Sequence, residues 1–115
     1  MIDREIKVLN AILKNIKKLQ KAKKLDFVDK LDLFAFYISQ IGSLSKRLTK
    51  TSRKKIFNKI DYDLLIYWKN KIDHEYNTVY SDLIIEYAKA LSSKMFYTLV
   101  LEQKNRLEKK KCCMK

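Results

Sequence analysis

Apolar side chains recur at spacings of three and four through residues 3–24, at Ile6, Leu9, Leu13, Ile16 and Leu19. That period places them on one stripe of a helix, with lysines on the other face. Asp3 and Glu5 fall in the first turn and Lys21, Lys23 and Lys24 in the last, matching the helix dipole. A second helix starts after Asp26, a suitable cap, and carries Phe27, Leu31, Phe34, Ile38, Ile41, Leu44 and Leu48. Leu33, Phe36 and Tyr37 widen its stripe, so this helix is expected at the centre. Gly42 falls in its middle at a cost of about 1 kcal/mol relative to alanine. Close approach of another helix would offset that cost, and simple tolerance is an equal reading.

The pattern breaks around Thr49–Ser52, where Thr51 or Ser52 can cap a short helix over Arg53–Lys59. Asp61 or Asp63 then caps a helix with an apolar face of Leu64, Leu65, Trp68 and Ile72. The periodicity loosens after His74. Ser81 or Asp82 opens a last long helix with Leu83, Ile84, Tyr87, Leu91, Met95, Leu99 and Leu107 as core positions. The expected fold is therefore all-α, an up-and-down bundle of four long helices plus a short one. Residues 1–110 form a single domain and 111–115 a basic disordered tail.

Composition agrees with helices. The 115 residues include one glycine and no proline, and 47% are apolar, enough for a core. No apolar run reaches the roughly 18 residues of a membrane span, and the N-terminus MIDREIKVLN lacks the pattern of a signal peptide. The expectation is a cytoplasmic protein without membrane contact. Cys112 and Cys113 are neighbours and cannot staple distant parts of a fold. With a single histidine they give no zinc set, and no metal or other cofactor is expected.

The net charge of +13 is unevenly spread. Residues 1–25 carry eight basic and two acidic side chains, residues 46–59 seven and none, and residues 104–115 six and one. Such clusters attract a polyanion, RNA first among them, and also serve simply as solubilising surface. Lys46, Arg47, Lys50, Arg53, Lys54 and Lys55 are the candidate RNA-binding residues.

Candidate chemistry gathers in Tyr62–Tyr76, which holds the only tryptophan and the only histidine. At about 100° per residue, Asn70 and His74 share a direction, while Lys69, Asp73 and Tyr76 form a second group. The wedge suits a helix that faces a cleft between two copies of the chain or that ends near His74. His74 is the one side chain that titrates naturally near neutral pH. Metal-free RNA cleavage needs a base, an acid and positive charge on the phosphate. One histidine and one lysine supply half of that, and a twofold dimer would double the set. The plainer reading makes His74 a helix-end histidine and Tyr76 a core tyrosine.

Three collinear blocks carry a resemblance: IGSLSKRL (Ile41–Leu48), IDYDLLIYWKNKIDHEY (Ile60–Tyr76) and VYSDLIIEY (Val79–Tyr87). Together they resemble the HepT-like branch of the HEPN superfamily, with its signature I-x-W-x-x-I-x-x-x-R-N-x-x-x-H-x-Y. The resemblance implies a homodimer with active sites at the subunit interface and metal-independent RNA cleavage, as the toxin of a HEPN/MNT toxin–antitoxin pair. It implies a minimal nucleotidyltransferase antitoxin as partner, which silences the nuclease by attaching AMP to a tyrosine. By motif, His74 matches the catalytic histidine, Asn70 the asparagine, Lys69 the position of the arginine, and Tyr76 the modified tyrosine. Lysine keeps the charge but loses the planar fork of arginine. Tyr62 stands for the family tryptophan, and Ser43 for the usual glutamate. The alternative is a catalytically degenerate HEPN-fold module that binds RNA or a partner.

Overall fold

The computed structural model describes residues 2–75 and 81–113, with the side chains of all of these but residues 27–29. Among the described residues the chain is all-helical. The six helices are α1 (Ile2–Ala22), α2 (Phe27–Ser45), α3 (Lys50–Ile56), α4 (Tyr62–Glu75), α5 (Ser81–Leu91) and α6 (Lys94–Cys113). They pack into a body of 49 × 26 × 21 Å. None is long and apolar enough to cross a membrane, among the described residues.

Helix α2 lies at the centre, as its broad stripe requires: it packs against α1, α4 and α5. Phe34, Ala35, Ile38 and Ile41 are buried there, against Leu9, Ile12, Ile16 and Leu19 of α1. Asp26 holds the N-cap position with extended backbone, but its side chain makes no capping hydrogen bond. The helix stops at Ser45, and the Lys46 N–H donates to the Gly42 carbonyl. Leu48, beyond that stop, still reaches the core.

The short helix begins earlier than its sequence suggests. Thr49, not Thr51 or Ser52, is its N-cap, and the Thr49 hydroxyl accepts the Ser52 N–H at 3.2 Å. The reason lies in the tertiary contacts. Glu5 of α1 accepts the Thr49 N–H at 2.7 Å, fixing the turn. Ser52 is turned inward, where the Gln103 amide of α6 donates to its hydroxyl at 2.9 Å. A buried Ser52 therefore belongs inside the helix, and Arg53–Ile56 are its second half.

Helix α4 opens on Asp61, whose side chain accepts the Leu64 N–H at 3.2 Å. Leu65 and Ile72 are its buried residues, Trp68 is half-buried, and Leu64 is exposed.

The expected last helix is two helices. The Ser93 hydroxyl accepts the Phe96 N–H at 3.1 Å and starts α6 anew, while the Ser92 carbonyl accepts from Gln20 of α1 at 3.0 Å. The break resets the apolar phase. Ile84, Ala88 and Leu91 are buried before it, and Phe96, Val100 and Gln103 after it. An unbroken helix would have buried Met95, which is instead 46% exposed. With the reset, α5 packs on α2 while α6 packs on α1 and α3. Helix α6 continues to Cys113, so residues 111–113 of the segment read as a tail are helical, and Lys111 pairs with Asp3 of α1.

Candidate functional site

The seam between α2 and α4 is set by Gly42. A Cβ there would lie 2.9, 3.0 and 3.2 Å from Cβ, Cγ and Cδ of Lys69. The absent side chain makes a notch that receives the Lys69 stem. The mid-helix glycine thus has the compensation its position called for, the close approach of a second helix.

This packing decides where the Lys69 charge goes. The side chain is only 13% exposed, and its ammonium donates to Asp73 one turn later. Across the seam the Ser39 hydroxyl donates to the other Asp73 oxygen at 2.5 Å. Burial works to raise the Asp73 pKa. The hydrogen bonds from Lys69 and Ser39, with the charges of Lys69 and His74, outweigh it and hold the carboxyl below its usual range. Lys69, Asp73 and Ser39 form one clamp between the helices.

Asn70 and His74 sit differently. Both are exposed and four residues apart on α4, so they make a polar ridge open to solvent. The fold therefore separates two groups: Asn70 and His74 face outward, and Lys69 is drawn into the seam. Tyr76 lies outside the described residues.

Of the six basic candidates, Lys46, Arg47, Lys50, Lys54 and Lys55 are exposed. Arg53 is half-buried, with its guanidinium 5.0 Å from the Tyr62 ring centroid and donating to the Tyr62 hydroxyl at 3.1 Å. It is held within the protein by an aromatic partner. Tyr62 in turn packs on Phe57, with ring centroids 5.2 Å apart, and Phe57 on Phe96 at 5.5 Å. That chain makes Tyr62 a packing residue.

Beside the seam, Ile38, Trp68, Ile72, Leu83 and Tyr87 line a shallow apolar crevice. The Tyr87 hydroxyl donates to the Asp61 carbonyl at 3.1 Å, and burial, aided by the Asp61 charge, pushes its pKa up. Among the described residues no three His, Cys, Asp or Glu side chains are grouped to hold a metal ion.

Two members of the clamp, Asp73 and Ser39, were given no role from the sequence. Asp73 stands in the sequence four residues after Lys69, a spacing that signals an ion pair. Ser39 carries no local signal, because its role depends on which face of α2 receives α4. The chain matches no family model, no curated protein and no solved structure.

Proposed function

We propose that this protein is a HepT-like ribonuclease of HEPN build. It would cleave RNA without a metal at a site completed by a second copy, as the toxin partner of a minimal nucleotidyltransferase. The observation that carries this reading is the open ridge of Asn70 and His74 on α4, beside the Lys69–Asp73 pair. A neutral imidazole there takes the proton of a ribose 2′-hydroxyl, whose oxygen attacks the adjacent phosphorus. The 5′-oxygen leaves and takes a proton from the acid, His74 of the second copy. Asn70 orients the phosphate, and Lys69 lends positive charge to it. The exposed cations Lys46, Arg47, Lys50, Lys54 and Lys55 would guide the strand. Modification of Tyr76 with AMP would silence the site by adding bulk and negative charge two residues from His74.

A second reading, a module that binds RNA or a partner without cutting, is favoured by one observation. Lys69 is packed into the Gly42 notch and its charge is taken by Asp73. Cleavage of a labelled RNA in excess chelator separates the two. The first reading expects activity that falls at least about 100-fold in His74→Ala. An inert parent together with an active Lys69→Arg variant would establish the second. An inert parent that Lys69→Arg does not awaken would remove the catalytic roles given to His74, Asn70 and Lys69.

A further inference from the structure

The three basic segments of the sequence, 1–25, 46–59 and 104–115, are far apart along the chain. The fold brings a part of each to one end of the molecule. Glu5 of α1 binds the Thr49 amide at the α2–α3 turn, Gln103 of α6 binds Ser52 of α3, and Lys111 of α6 pairs with Asp3 of α1. Between these ties lies a groove of about 540 Å³. Arg4, Arg47 and Lys110 line it, one cation from each segment, and all three are exposed. Ile2 and Leu107 supply an apolar wall, and the buried Gln103 supplies part of the floor.

We propose that this groove binds the phosphodiester backbone of single-stranded RNA, as an anchoring site apart from the His74 ridge. The inference rests on the reading of the protein as one that acts on RNA, and adds where the strand is held. Three cations converging on one concave surface focus a positive potential that a flat lysine-rich helix does not. The volume suits a nucleotide unit, being within the roughly 300–1,000 Å³ of small-ligand sites. The apolar wall gives a base a surface to rest on while the phosphates meet the rim. The one acid in the groove, Glu5, is 9% exposed and is turned to the Thr49 amide. The residues are drawn from α1, the α2–α3 turn, α3 and α6, which explains why no single stretch of sequence marks the site.

The test is fluorescence anisotropy of a labelled single-stranded RNA oligonucleotide titrated with the full chain at several salt concentrations. Arg4→Glu, Arg47→Glu and Lys110→Glu are each expected to weaken binding severalfold. The double change Arg4→Glu/Lys110→Glu should reduce the slope of log K against log salt by about 1.4, at about 0.7 for each phosphate no longer neutralised. Lys18→Glu, an exposed change on α1 outside the groove, should have a smaller effect. Equal weakening by Lys18→Glu and by the groove changes, or no RNA binding by the parent, would overturn the proposal. RNA that is held by the groove but never cut would leave this inference standing and remove the nuclease. Cleavage unaltered by the groove changes, with unaltered binding, would do the reverse.

Discussion

Gly42 is the residue on which the α2–α4 seam turns. Alanine at this position gains about 1 kcal/mol of helix propensity. Its Cβ, however, would meet Lys69 Cβ at 2.9 Å, an atom fixed to the α4 backbone, and not the free end of a side chain. The helix must move, and overpacking of this kind costs about 1–3 kcal/mol. Gly42→Ala is therefore expected to lower stability by about 1 kcal/mol net, and Gly42→Val by more, measured by urea unfolding. Asp73 sets the second expectation. Its folded pKa lies below its unfolded value, so the clamp contributes stability above the ordinary carboxylate range. That contribution is lost as pH falls through the folded pKa. Parent and Asp73→Asn should thus differ in Tm at neutral pH and converge on acidification below about pH 4, near the unfolded value. A constant difference across that range would show that the ion pair does not stabilise the fold. The same substitution frees the Lys69 ammonium, so a rise in RNA cleavage on Asp73→Asn would mean that the clamp restrains catalysis.

At the scale of elements, α3 and α6 are joined by one buried hydrogen bond, between Gln103 and Ser52, and Gln103 also accepts from Arg106 at 2.9 Å. Gln103→Leu leaves the Ser52 hydroxyl buried without this donor, at a cost of about 1–3 kcal/mol. Adding Ser52→Ala should recover part of the loss, because both polar partners are then gone. A double-mutant cycle by chemical denaturation measures the coupling. This contact also shows what the sequence could and could not reveal. The stripes of α1 and α2 were legible because each is long and periodic, and the cap of α4 was narrowed to Asp61 or Asp63, of which the structure uses Asp61. The start of α3 was not, because Glu5 and Gln103, far off in sequence, select Thr49 as cap and draw Ser52 inside. The α5–α6 break was hidden because two serines are weak stop signals, while Leu91, Met95 and Leu99 keep helical spacing across it although the buried set shifts to Phe96, Val100 and Gln103. In the site, the shared direction of Asn70 and His74 was legible from helical spacing, while their exposure was added by the packing of α4. The withdrawal of Lys69 did not, since it depends on a notch in another helix.

For the whole molecule, the decisive number is one: the chain has a single histidine. A metal-free cleavage that uses one imidazole as base and another as acid then needs two copies of the chain, each presenting its α4 ridge to the same phosphate. His74 is exposed, so it is open to such sharing without rearrangement of the core. Under the proposed nuclease reading, activity would then depend on assembly. Specific activity should rise with protein concentration until the dimer is saturated, and then level off. Excess His74→Ala chain mixed with the parent should suppress cleavage beyond simple dilution, because every mixed pair holds only one imidazole. Both are read from initial rates on a labelled RNA, with the oligomeric state followed by sedimentation over the same concentrations. A monomeric protein with constant specific activity would place all the acid–base work within one chain. His74 would then have to act with a group of a different kind.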